Sequence, residues 1–87
     1  MGIDVSVFTS KAIGTPGREF AFRLAEECQC IGESNAFGWF SKEEILNVLD
    51  AYAISKQLSE AEKSEIQSWV KNLPWNGWNC ISLSFDW

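Results

Sequence analysis

The chain has 87 residues, of which 46% are hydrophobic and 14% aromatic, and its seven Lys and Arg against twelve Asp and Glu give a formal net charge of −5. This length predicts a single compact domain over residues 1–87, and the composition is that of a folded chain. The acidic balance disfavours direct binding to nucleic acid or to an anionic membrane surface, because both need a basic footprint. Histidine is absent, which removes the commonest general base and the commonest metal ligand.

The three cysteines are Cys28, Cys30 and Cys80. An odd number of thiols, two of them only one residue apart, is not the pattern of a disulfide framework and indicates a reducing compartment. Their spacing matches no zinc site. The sequence has no basic amino-terminal region and no run of about 18 apolar residues, so it predicts neither a signal peptide nor a membrane span. We expect a cytoplasmic protein without a metal or another cofactor.

Both ends of the chain predict β-strands. In residues 3–9, β-branched side chains occupy every second position, and a loop over residues 10–17 follows. In the last segment, residues 78–87, large apolar side chains occupy every second position from Ile81 to Trp87 and alternate with small polar ones. Each pattern is typical of a strand with one buried face, so the two strands are expected to pair.

The segment after the first loop favours a helix over residues 16–31. Thr15 fits an N-cap, Pro16 the first helical position and Gly32 the residue just after the helix. Phe22 alone falls on the polar face of this helix. As a strand, the same segment would align its aromatic side chains on one face, and this alternative stays open.

Two capping boxes mark the starts of further helices. Residues 41–44 and 59–62 both read Ser-x-x-Glu. In this motif the serine hydroxyl and the glutamate carboxylate each accept a hydrogen bond from the backbone N–H of the other residue. The apolar periodicity then predicts helices over residues 42–54 and 60–72.

These elements predict a small single-domain α+β fold in the order β-α-α-α-β. Its N- and C-terminal strands pair in a small antiparallel sheet packed against about three helices. Residues 33–40 are rich in aromatic side chains and predict a loop or a short strand. A two-stranded sheet is only marginally stable, so residues 36–40 or residues 18–25 are candidates for an additional strand.

Three tryptophans are the best candidates for a binding site. Trp39, Trp75 and Trp78 lie in or beside segments rich in glycine and asparagine. An exposed indole ring on a rigid turn is typical of a hot spot in a protein interface. Phe22 joins these candidates if its segment is helical, because its ring then falls on the polar face.

Carboxylates supply a possible acidic rim around the aromatic candidates. We expect Glu43, Asp50, Glu60 and Glu65 to meet basic side chains of a partner. The structural alternative for the glutamates near helix starts is that they stabilise the helix dipole. No nucleophile is paired with a base in the sequence, so we do not expect an enzyme.

These observations together predict a small, acidic, non-catalytic interaction protein that docks on a larger macromolecule and inhibits or modulates it. Small phage anti-defence proteins and bacterial immunity proteins share this profile of size and charge. The expected partner is a protein with a basic surface, for example a nucleic-acid-binding protein whose groove the acidic face occupies. The chain itself is expected to be a monomer or a homodimer. The alternative is a small-ligand module that stacks a sugar or a base on exposed tryptophans.

Overall fold

The computed structural model describes residues 2–7 and 12–87. Its elements in chain order are β1 (Asp4–Val7), α1 (Arg18–Glu26), β2 (Cys30–Ile31), β3 (Asn35–Ser41), α2 (Lys42–Lys56), α3 (Glu60–Lys71) and β4 (Cys80–Asp86). The predicted α+β fold, with strands at both ends and three helices, is confirmed. Two additional strands, β2 and β3, lie between α1 and α2 in the chain.

The strands form one antiparallel sheet in the spatial order β1-β4-β3-β2. The predicted pairing of the terminal strands is confirmed, since Val5 of β1 lies opposite Phe85 of β4. On its other side β4 pairs with β3 along seven residues, from Asn35 opposite Asp86 to Ser41 opposite Cys80. The last strand is therefore a central strand of the sheet.

The hydrophobic core lies between the helices and one face of the sheet. Alternate positions of the strands point toward it, and each fully buried large apolar side chain stabilises the fold by about 1.5–3 kcal/mol relative to exposure. The largest fully buried side chains come from both layers: Phe20, Phe85, Leu24, Ile45, Leu49, Leu83, Val5 and Val70.

Both predicted capping boxes are present. The hydroxyl of Ser41 accepts from the N–H of Glu44 at 3.0 Å, and the Glu44 carboxylate accepts from the N–H of Ser41 at 3.0 Å. Ser59 and Glu62 make the same reciprocal pair at 3.2 Å. Helices α2 and α3 consequently begin where the sequence predicts them, and they end within two residues of the predicted positions.

The start of α1 differs from the prediction. The predicted N-cap Thr15 and the following Pro16 precede the helix, which begins at Arg18. Gly17 occupies the N-cap position with φ 105° and without a side-chain hydrogen bond to the helix. A residue with a Cβ rarely adopts that backbone conformation, so glycine sets the start of this helix.

The end of α1 also comes earlier than the apolar periodicity indicates. The helix ends at Glu26, and residues 30–31 form β2, which pairs with residues 36–37 of β3. The N–H of Gly32 donates to the carbonyl oxygen of Asn35 at 2.7 Å, so this glycine belongs to a hairpin and not to a helix end. The candidate strand over residues 36–40 is confirmed, whereas the one over residues 18–25 is wrong.

Strand β1 covers the middle of its predicted segment. Residues 8 and 9 of the predicted strand, and residues 10 and 11 of the predicted loop, lie outside the described residues. Where the description resumes, the chain follows the outer edge of β1: Ala12 lies opposite Ser6, and the N–H of Ile13 donates to the carbonyl oxygen of Val5 at 3.2 Å.

The side chain of Gln29 covers the edge of β3 that β2 leaves free. The N–H of Trp39 donates to Gln29 Oε1 at 2.9 Å, and Gln29 Nε2 donates to the carbonyl oxygen of Trp39 at 3.5 Å. This carboxamide takes the place of a neighbouring strand. The edge is thereby protected against pairing with another chain.

Glycine at position 38 permits this close approach. A Cβ there would lie 2.9 Å from Gln29 Oε1 and 3.0 Å from the Cα of Cys28. We expect Gly38→Ala to lower the free energy of unfolding by about 1–3 kcal/mol, measured by chemical denaturation. Gly2→Ala is the control, because a Cβ at that position meets nothing within 4 Å. Equal stability of the two variants would contradict the proposed packing constraint.

Candidate functional site

Trp39 and Trp78 are the most exposed aromatic side chains of the described residues, at 54% and 74%. Both lie at the end of the sheet where β3 finishes and β4 begins. The backbone of Trp39 is held by Gln29 and by pairing opposite Ser82, and the N–H of Trp78 donates to the carbonyl oxygen of Trp75 at 2.7 Å. The two exposed rings therefore project from ordered backbone.

Trp75 is the third tryptophan at this end, and its ring is half-buried. Its Nε1 donates to the carbonyl oxygen of Val70 at 2.9 Å, which fixes the ring in place. Trp75 and Trp78 line an open groove of about 820 Å³ beside the first turns of α2, where Glu43 and Leu46 form part of the opposite wall. We call Trp39, Trp75 and Trp78 the aromatic end.

Phe22, the fourth aromatic candidate, does not belong to the aromatic end. It is half-buried on α1 and packs edge-on against Trp87, with the ring centroids 5.5 Å apart. The guanidinium of Arg18 lies 5.5 Å from the centroid of the Phe22 ring. These contacts pack Phe22 against its neighbours, and its role in partner binding stays a prediction.

The four carboxylate candidates are distributed over α2 and α3. Glu43 lies in the first turn of α2 and lines the groove of the aromatic end. Asp50 is further along α2 and forms an ion pair with Lys63 at 3.2 Å. Glu60 and Glu65 lie on α3, with Glu60 in its first turn. Only Glu43 is placed beside the tryptophans.

The sheet has a second face that the sequence reasoning missed. Strand residues that alternate with the core residues point away from the helices. In the sequence, the serines between the apolar residues of β4 indicate this face. We call it the open face. Its members are Asp4, Ser6, Asn35, Phe37, Trp39, Ser82, Ser84 and Asp86.

Ser82 is unusual among these residues because it is buried, with only 2% of its surface exposed. Its hydroxyl oxygen has no hydrogen-bond partner within the described part of the chain. It lies directly opposite Trp39 in the register of β3 and β4. A buried hydroxyl that lacks any partner costs about 1–3 kcal/mol, which makes the bonding of Ser82 worth testing.

Replacing this hydroxyl tests whether it lacks a partner. We expect Ser82→Ala to leave the free energy of unfolding unchanged or to raise it by up to about 1 kcal/mol, because the variant removes an unsatisfied polar group. Ser59→Ala is the matched control, since it removes a capping hydroxyl and should cost about 1 kcal/mol. A comparable loss in Ser82→Ala, measured by urea unfolding, would show that the Ser82 hydroxyl is bonded.

The thiol of Cys28 is buried and poorly suited to chemistry. Its Sγ donates to the carbonyl oxygen of Leu24 at 3.7 Å. Burial, with smaller effects of Cys30 and Glu27, raises the pKa of the Cys28 thiol from 9.0 to about 11. The thiol is therefore protonated at neutral pH, whereas a reactive cysteine needs the thiolate.

This raised pKa predicts a loss of stability in alkali. The contribution of the Cys28 thiol to the free energy of unfolding is fully present below pH 9.0, where the thiol is protonated in both the folded and the unfolded chain. It is lost as the pH rises through the folded-state pKa of about 11. Between pH 8 and pH 10.5 the urea midpoint should fall less in Cys28→Ala than in the wild type. Burial also raises the pKa of Tyr52, so part of the fall should persist in the variant. Identical falls would contradict the assignment to Cys28.

The described residues contain no group of three or more cysteine, aspartate or glutamate side chains arranged to hold a metal ion. Within the same residues, no helix is long and apolar enough to cross a membrane. No protein-family model, curated protein or solved structure matches the chain. Function is therefore inferred from the aromatic end and the open face themselves.

Proposed function

We propose that the protein acts in the cytoplasm by docking stoichiometrically on a larger protein, which it inhibits or modulates, with the aromatic end at the centre of the contact. The observation that carries this proposal is the exposure of Trp39 and Trp78, at 54% and 74%, on ordered backbone. A tryptophan buries about 150–250 Å² when it is covered. A ring on fixed backbone loses little conformational freedom on binding, and this favours affinity.

The charge of the protein supports a basic partner. With a net charge of −5, the protein attracts positively charged surfaces, and such attraction raises the rate of encounter. Glu43 lines the aromatic groove together with Lys42, so the preference for a basic partner rests on the net charge of the chain and not on the groove. A protein that binds nucleic acid fits this proposal because its own binding groove is basic, and occupation of that groove would inhibit it. We propose this mode of action by analogy with anti-defence and immunity proteins.

Binding rather than catalysis is proposed because the chain lacks histidine, the commonest acid–base group. The thiol of Cys28 is buried and protonated, and the glutamates Glu43, Glu44, Glu60 and Glu62 occupy first turns of helices, where negative charge is stabilising.

A second candidate function is favoured by the groove at the aromatic end. Its volume of about 820 Å³ accommodates a small molecule, and Trp75 and Trp78 offer ring surfaces beside the side chains of Asn47 and Asn79. A sugar or a base would stack on the indole rings. Tryptophan fluorescence during titration with sugars and nucleosides separates the two functions. A saturable change that Trp78→Ala abolishes would favour the small ligand.

The docking function predicts that single exposed rings dominate affinity. Tagged protein is used to capture its partner from the lysate of its native host, at low and at high salt. Trp39→Ala and Trp78→Ala should each weaken retention of a stoichiometric partner about 30-fold, the equivalent of about 2 kcal/mol for a hot-spot residue. High salt should also weaken retention.

Ile54→Ala is the matched control, because Ile54 is 80% exposed on α2 and lies outside the aromatic end. It should retain the partner as the wild type does. Thermal melts of all variants establish that they fold. Unchanged retention by both tryptophan variants would refute docking through the aromatic end.

A further inference from the structure

One row of the open face carries two carboxylates directly opposite each other. Asp4 of β1 pairs with Asp86 of β4, and Asp86 pairs in turn with Asn35 of β3. All three side chains are exposed. The Cβ atoms of directly opposite residues lie about 4.5–5.5 Å apart, and like charges at that distance destabilise the sheet.

No basic side chain of the described residues neutralises this row. The ion pairs found there join Arg23 to Glu26 and Glu27, and Lys63 to Asp50. Within residues 2–7 and 12–87, Asp4 and Asp86 therefore have no ion-pair partner. A cation brought by another molecule would neutralise the row.

The opposite end of the same face is apolar. Trp39 is 54% exposed, and the half-buried Phe37 lies two residues away on the same side of β3. Ser82, with its unpartnered hydroxyl, lies opposite Trp39. Asp86 is four positions after Ser82 in β4, which corresponds to about 13–14 Å along an extended strand.

Charge disfavours two occupants of this face. None of the eight residues of the open face is Lys or Arg, so a second copy that packs through its own open face would bring further carboxylates and no cation. A nucleic acid would place its phosphates against the same carboxylates. The carboxamide of Gln29 covers the neighbouring edge of β3, so the exposed members of the face, Asp4, Asn35, Trp39 and Asp86, are the groups that a partner can reach.

We propose that the open face binds a protein segment that places a basic side chain on the Asp4–Asp86 pair and an apolar side chain beside Trp39, about 13–14 Å away. Arginine fits the row best, because its planar guanidinium has five donors and bridges two carboxylates. This inference rests on the proposed function and specifies the chemistry of the partner surface. The inference adds a contact between a basic side chain and the open face to the contact that the aromatic end makes.

The test is a selection of random 16-residue peptides displayed on yeast, with the immobilised wild-type protein as bait. Enriched peptides should carry Arg or Lys together with an aromatic or aliphatic residue. Their affinity should fall at least tenfold for Asp4→Asn/Asp86→Asn and for Trp39→Ala. Replacing the basic residue of the peptide by Gln should weaken binding to the wild type but not further weaken binding to the double variant.

The controls separate loss of binding from loss of folding. Asp4→Asn/Asp86→Asn removes a repulsion, so its melting temperature should equal or exceed that of the wild type. Glu26→Gln removes an exposed carboxylate on α1, outside the open face and outside the binding candidates, and should bind the selected peptides as the wild type does.

Three results would overturn the inference. Peptides that depend on Trp78 but bind the double aspartate variant normally would refute the cationic contact while leaving docking through the aromatic end intact. A library that yields no binder dependent on Trp39 would refute the open face as a binding surface. A concentration-dependent dimer that shields Trp39 from fluorescence quenching would assign the face to a second copy.

Discussion

The antiparallel pairing of β4 on both of its sides is the interaction on which the rest of the structure depends. On one face of the sheet, Ile81, Leu83 and Phe85 of this strand enter the core beneath the helices. On the other face, the residues between them set the spacing of the open face. Because side chains alternate strictly along a strand, the same register that buries the apolar set also fixes the positions of Ser82 and Asp86.

Local signals made much of this fold predictable. The two Ser-x-x-Glu motifs determine where α2 and α3 begin, since each closes hydrogen bonds within four residues. The alternation in the last ten residues identified β4 for a similarly local reason. The limits of α1 were not predictable, because the start depends on the positive φ of Gly17 and the end depends on the pairing of β2 with β3. The latter contact is a tertiary one, and it overrides the helical periodicity.

The candidate site was predictable in composition but not in arrangement. Trp75 and Trp78 lie in the same turn. Of these two rings, only that of Trp75 is held by a hydrogen bond, which its Nε1 donates to the carbonyl oxygen of Val70. Asp50 reads in the sequence as a free carboxylate, but the packing of α2 on α3 brings Lys63 within 3.2 Å of it. The exposure of Trp39 follows from the strand register. Each of these outcomes depends on residues distant in the chain, which no local pattern contains.

Three features that a partner could satisfy share one face of the sheet. Asp4 opposes Asp86, the hydroxyl of Ser82 is buried without a described partner, and Trp39 leaves much of an indole ring in water. Elsewhere the residue types suit the structure around them, as in the two capping boxes and at the β3 edge that Gln29 covers. Departures from that agreement tend to concentrate at functional surfaces. A partner with one cationic and one apolar group would relieve the repulsion and bury the ring in a single contact, which is why we assign the interaction to this face.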